Sequence, residues 1–179
     1  FSEKDIEIRV DANCAFSFDN ALEKLKYLSD FSLHSIEQPI ETGQWENMAY
    51  LCENSPLDIA LDEELIGLPN GDKDKMVSAI NPKYIILKPS LIGGIKQSEE
   101  WISVAKKNNI QWWVTSALES NVGLNAISQW VFNKSLSMKQ GLGTGQLFSN
   151  NISCSLYIKE GCLYYNPDTS WDLAFLKRF

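Results

Sequence analysis

The sequence predicts an α/β fold of repeating strand–helix units around a parallel sheet. Three observations lead there. Short β-rich apolar runs alternate with stretches whose apolar residues recur at helical spacing. The β-runs are almost wholly apolar, as expected of strands covered on both faces. A polar residue also closes successive β-runs at a nearly constant interval: Asp11, Glu37, Asp62 and Lys88 follow one another at 26, 25 and 26 residues.

Each element has its own justification. Ile6 to Val10 alternates, is rich in β-branched residues and leads into Asp11, so it reads as the first strand. Ser17 or Asp19 caps a helix in which Ala21, Leu22, Leu25 and Leu28 share one face. Leu33 to Glu37 is the second strand, stopped by Pro39; Trp45, Met48, Ala49 and Cys52 mark the next helix. Leu57 to Leu61 runs to Asp62 as the third strand, and a short helix covers Asp72 to Ile80. Tyr84 to Leu87 is an apolar strand ending at Lys88, after which Ser98 is expected to cap a helix through Trp101, Val104 and Ala105. Gln111 to Ser116 is a further strand, and a helix follows from about Asn121 to Phe132. The glycine loop from Gly141 to Gly145 leads to a hairpin of Ile152–Ile158 and Cys162–Tyr165, turned at Glu160-Gly161. A repeating βα unit fits either a (β/α) barrel or an open doubly wound sheet.

Composition excludes several function classes. With 16 basic against 23 acidic residues and a net charge of -7, the surface repels phosphate backbones, so nucleic acid is not an expected partner. No basic run suits an anionic membrane, and no stretch approaches the ~18 apolar residues of a membrane span. No signal peptide is evident, which favours the cytoplasm. The four cysteines, Cys14, Cys52, Cys154 and Cys162, form no C-x-x-C pair and read as buried free thiols of a reducing compartment.

The polar strand ends carry the chemistry. In parallel α/β folds, ligands bind at the carboxyl edge of the sheet. One acid there is commonly a helix cap or a solvated group. Three in register at Asp11, Glu37 and Asp62 would repel one another strongly, and a hard divalent cation such as Mg²⁺ resolves that repulsion. Lys88 is then expected to stay charged and to face substrate oxygens or a developing carbanion. Asn13, Gly93, Ser116, Ala117 and Glu119 are the candidate substrate-binding residues; the hydroxyls and amides of 116–120 suit a carboxylate, although Ser120 also serves as a helix cap. Gly141 to Gly145 lacks dinucleotide-fingerprint spacing and reads as a set of backbone turns. His34 and the six tryptophans are assigned to packing.

Taken together, Arg9-Val10-Asp11-Ala12-Asn13, Ile36-Glu37-Gln38-Pro39, Leu61-Asp62-Glu63, Ile86-Leu87-Lys88-Pro89-Ser90-Leu91-Ile92-Gly93-Gly94, Ser116-Ala117-Leu118-Glu119-Ser120 and Gly141-Leu142-Gly143-Thr144-Gly145 resemble the enolase superfamily in order and spacing. Within it they resemble the o-succinylbenzoate synthase family of the muconate-lactonizing-enzyme-like subgroup. The resemblance implies a modified TIM barrel of which residues 1–150 supply strands three to eight. Residues 151–179 would be a hairpin and tail packing toward an N-terminal capping domain that this chain lacks. It further implies Mg²⁺, with Mn²⁺ as substitute, held by Asp11, Glu37 and Asp62, and dehydration of a small cyclohexadiene carboxylate through a metal-stabilised enediolate. Lys88 would act electrostatically. The acid/base lysine of a Lys-x-Lys motif would lie outside this chain, so the isolated chain is expected to bind Mg²⁺ weakly without turnover. N-succinylamino-acid racemase, dipeptide epimerase and muconate cycloisomerase of the same superfamily are the alternatives; each needs the same metal triad and a lysine near Lys88, so these four residues do not separate them. A receiver-type Mg²⁺-binding signalling module is the remote alternative, and its usual pair of adjacent acids is replaced here by Asp11-Ala12-Asn13.

Overall fold

Five short strands make one sheet in the computed structural model, which describes residues 6–134, 136, 138–172 and 174. The strands are β1 Arg9–Asp11, β2 Ser35–Glu37, β3 Ile59–Leu61, β4 Tyr84–Leu87 and β5 Gln111–Val114, adjacent in the order of the chain. β1 through β4 pair in parallel. A doubly wound sheet reverses its strand order part-way across. This sheet does not, so of the two architectures left open by the sequence it follows the barrel.

The chain divides into two compact units, Phe1–Leu87 with Glu99–Trp112, and Lys88–Ser98 with Trp113–Phe179. In the first, β1 to β4 are joined by α1 Phe18–Ser29, α2 Trp45–Asn54 and α3 Lys73–Ile80. Each helix buries an apolar stripe: Ala21 and Leu25, then Met48 and Leu51, then Met76, Val77 and Ile80. α2 packs against both α1 and α3. β3 and β4 are buried throughout, and Trp101, Ile102 and Ala105 complete the core. Full burial of a Leu, Ile, Val or Met side chain in this core stabilises by about 1.5–3 kcal/mol. Lys73 is buried too, its Nζ 3.1 Å from Glu100 and 5.2 Å from the Trp101 ring centre.

Three sequence expectations are corrected. The first three strands are shorter at their amino ends than the apolar runs. Ile6 and Ile8 are 42% and 47% exposed, so apolar character there is not matched by a covering layer. α4 spans Gly94–Lys107, so Ser98 is inside the helix rather than at its cap, and its hydroxyl donates to the Gly94 carbonyl at 2.9 Å. The turn into α4 is made instead by Gly93 and Gly94 at φ 97° and 85°, a region open to glycine without a Cβ penalty. The cysteines are free, but Cys14, Cys52 and Cys154 are only partly buried and Cys162 is exposed. Cys162 opens β7 on a solvent-facing hairpin, where no layer covers it.

In the second unit, Trp113 and Val114 are buried, as are Leu124, Ile127 and Val131 of α5, Asn121–Phe132. A single parallel bridge joins Thr115 to Gly141. A Cβ on Gly141 would stand 2.7 Å from Thr115 Cγ2, so the close approach of the two segments requires glycine. β6 Leu156–Lys159 and β7 Cys162–Tyr165 form an antiparallel hairpin with Tyr157 and Tyr164 stacked across it. Glu160 and Gly161 turn it at φ 50° and 74°, the geometry that matches strand twist. Of the expected C-terminal tail, 173 and 175–179 lie outside the described residues. No helix among the described residues is long and apolar enough to cross a membrane.

Candidate functional site

An acid stands at the carboxyl end of each of β1, β2 and β3. β1 and β2 terminate in Asp11 and Glu37, and the ladder pairs these two residues directly. Paired residues of neighbouring strands point to the same side of the sheet, and alternate residues of one strand share a face. Glu37 is paired with Ala60, and Asp62 lies two residues further on, just past the carboxyl end of β3. The regular spacing in the sequence therefore reflects one edge of the sheet.

Their environments differ. Asp62 is 1% exposed, whereas Asp11 is exposed and Glu37 half-buried. Asp11 Oδ1 accepts the Asn13 backbone N–H at 2.7 Å, and Asn13 Nδ2 donates to Glu63 Oε1 at 2.8 Å. Asn13, Cys14 and Gln38 adopt φ of 45°, 63° and 34°, a left-handed conformation that costs about 1 kcal/mol or more outside glycine. Burial, then the charges of Glu63, Glu64, Asp11 and Glu41, push the Cys14 thiol up to about 11. Among the described residues no group of three or more His, Cys, Asp or Glu side chains is arranged to hold a metal ion as it stands. The donor chemistry nonetheless fits one: three carboxylates at successive strand ends, one of them buried, are the hard oxygen ligands that a divalent cation such as Mg²⁺ takes.

Behind these acids lies a polar network to which the sequence assigned no role. Glu64 is 6% exposed and accepts Gly43 N–H and Trp45 Nε1–H at 2.8 Å each, and Gln38 Nε2–H at 3.2 Å. It braces the loop that enters α2. The signal was available in the double acid Glu63-Glu64 following Asp62, since a second buried acid needs donors and Gln38, Gly43 and Trp45 provide them. His34 stacks on Tyr84 with ring centres 4.9 Å apart and shares a 2.9 Å hydrogen bond with Ser35 Oγ, in keeping with a packing role.

In the second unit, Lys88 directly follows β4, and its carbonyl accepts the N–H groups of Leu91 and Ile92 in the turn leading to α4. Gly93, in that turn, has no room for a Cβ, which would meet Gln97 Cγ at 2.7 Å. Ser116, Ala117 and Glu119 come together after β5. Glu119 Oε2 accepts Ser116 Oγ–H at 2.5 Å and Ala117 N–H at 2.9 Å, and Oε1 accepts Ser90 Oγ–H at 2.5 Å. Burial acts most strongly on the Glu119 carboxyl and raises it. The donors Ser116 and Ser90 with the backbone N–H groups of Glu119 and Ala117 together outweigh burial and hold it below the usual value. In this arrangement the hydroxyl and amide expected to receive a substrate carboxylate are directed at Glu119.

A profile of the enolase C-terminal domain-like family matches residues 2–144. The chain belongs to that family. An o-succinylbenzoate synthase from Desulfotalea psychrophila is 57% identical over 163 residues, covering 91% of this chain and 44% of the relative. The crystal structure of MenC from Desulfotalea psychrophila LSv54 superposes with a TM-score of 0.89 at 57% identity, over 91% of this chain and 46% of that one. Muconate lactonizing enzyme from Pseudomonas putida shares the fold at a TM-score of 0.83 and 20% identity, over 97% of this chain and 49% of that one. This member of the enolase C-terminal domain-like family thus spans less than half the length of the relatives it matches.

Proposed function

We propose that the chain is the ion-binding barrel portion of an o-succinylbenzoate synthase. The reaction is loss of water from 2-succinyl-6-hydroxy-2,4-cyclohexadiene-1-carboxylate to give o-succinylbenzoate in menaquinone biosynthesis. The observation that carries this reading is the 57% identity to a relative of that name over 91% of the chain. The placement of Asp11, Glu37 and Asp62 at the carboxyl ends of three adjacent strands supports it.

Asp11, Glu37 and Asp62 would hold Mg²⁺, with Mn²⁺ as substitute. When bound, the ion supplies positive charge against the negative charge that builds on the substrate carboxylate as the α-proton leaves. Lys88 stabilises the same charge electrostatically. Asn13, Gly93, Ser116, Ala117 and Glu119 contact the substrate. The base that takes the α-proton is a lysine outside this chain, so residues 1–179 alone bind Mg²⁺ without turnover. Residues 151–179 pack toward the capping domain of the same protein.

The test is ultraviolet detection of the aromatic product made by the full gene product. N-succinylamino-acid racemisation and dipeptide epimerisation are followed in parallel. Dehydration is expected, and Asp62→Asn is expected to lower it by about 100-fold or more, the scale on which lost transition-state electrostatics act. Racemisation or epimerisation without dehydration would overturn the reading, as would an Asp62→Asn enzyme with ion affinity and turnover intact.

A further inference from the structure

Gln38 directly follows Glu37 and is 0% exposed. Its Oε1 accepts the backbone N–H of Asp62 at 3.2 Å and of Glu64 at 3.4 Å. Its Nε2 donates to Ile40 O and to Glu64 Oε2, both at 3.2 Å. The main chain of the same residue donates to Ala60 O at 2.9 Å and accepts Cys14 N–H at 2.8 Å. One side chain and its own peptide groups therefore tie the continuations of β1, β2 and β3 together where the three acids emerge. The residue does so at φ 34°, a conformation that persists only where its surroundings impose it.

A buried amide of this length is a poor choice if only volume matters, since Met fills the same space without polar atoms to satisfy. We propose that Gln38 is a positioning residue for the bound ion. Its amide sets the main-chain position of Asp62 relative to Glu37, so that both carboxylates meet one cation without further movement of the strand ends. Outer groups that orient ligands in this way typically govern ion affinity by 10–100-fold. The inference rests on the reading of Asp11, Glu37 and Asp62 as ion ligands.

The experiment is Mn²⁺ binding to the ion-free full gene product, read as free Mn²⁺ by electron paramagnetic resonance, together with the Mg²⁺ dependence of turnover. Wild-type protein is titrated first, and no Mn²⁺ uptake that Asp62→Asn abolishes would sink the ligand reading itself. Given such uptake, Gln38→Met is expected to weaken Mn²⁺ binding by at least tenfold and to raise the half-saturating Mg²⁺ by the same factor. Turnover at saturating Mg²⁺ is expected to recover to within about threefold of wild type. Should Gln38→Met fail to fold, Gln38→Asn gives the same reading: Asn tolerates positive φ but is one carbon too short to reach the Asp62 amide. Unchanged ion affinity in the folded variant would overturn the inference, and so would lost turnover that Mg²⁺ does not restore.

Discussion

Replacing Glu64 by Ala strips one carboxylate from three donors, and the cost follows from where those donors lie. Gly43 and Trp45 line a surface cleft with Thr42, Ile66 and Pro69, so hydration is expected to replace part of what their N–H groups lose. Their loss is that of two charge-assisted bonds partly replaced by hydration, about 1 kcal/mol each. Gln38 Nε2 is enclosed and keeps Ile40 O as a second acceptor, so it adds about 1 kcal/mol more. The sum is about 3 kcal/mol, which for a chain of this size lowers the melting temperature by about 6–12 °C. Glu64→Gln should cost less than half as much. Its carbonyl oxygen still accepts from Gly43 and Trp45, while its new amide opposes the Gln38 amide donor. Urea unfolding followed by circular dichroism measures both variants. A loss below 1 kcal/mol for Glu64→Ala would refute the view that this carboxylate braces the entry to α2.

Two further outcomes follow from ionisation. Glu119 has its carboxyl held below the ordinary 4.5, so the unfolded chain takes up the proton first. The stabilisation it confers is present above that ordinary value and fades as the pH falls through the lowered folded value. Acid titration of unfolding free energy should show this limb in wild type, and Glu119→Gln should flatten it; an identical acid limb in both would refute the assignment. Among the thiols, exposed Cys162 should react first with a disulfide reagent at pH 8. Cys52, pushed up to about 12 by burial and by Asp58, should react last, and faster labelling of Cys52 than of Cys162 would contradict the packing of α2.

Much of the fold was legible because burial leaves a simple trace. Tyr84–Leu87 is apolar at every position and coincides with β4, and the helix expected from Asn121 to Phe132 coincides with α5. Reading failed where the decisive cause was a partner or a backbone angle. The exposed Ile6 and Ile8 look like strand residues but lack the covering layer that would make them so. Ser98 looks like a cap, yet the left-handed pair Gly93-Gly94 starts the helix a turn earlier. At the site, the interval between Asp11, Glu37 and Asp62 was visible because one βα unit has a nearly fixed length. The partners of Glu64, which are Gly43 and Trp45 at the entry to α2 and the Gln38 amide, follow no such period, and only the folded chain brings them together.

The left-handed backbone at Asn13, Cys14 and Gln38 has a consequence for how this chain tolerates substitution. These positions sit where β1 and β2 run out, and each penalises a branched side chain whatever chemistry that side chain brings. In a library selected only for folded expression, valine, isoleucine and threonine should be depleted at all three, while glycine and asparagine persist. A profile of permitted residues there would resemble the imprint of catalysis even in a chain that has lost its activity. Amino-acid preference around this edge is therefore a record of geometry first.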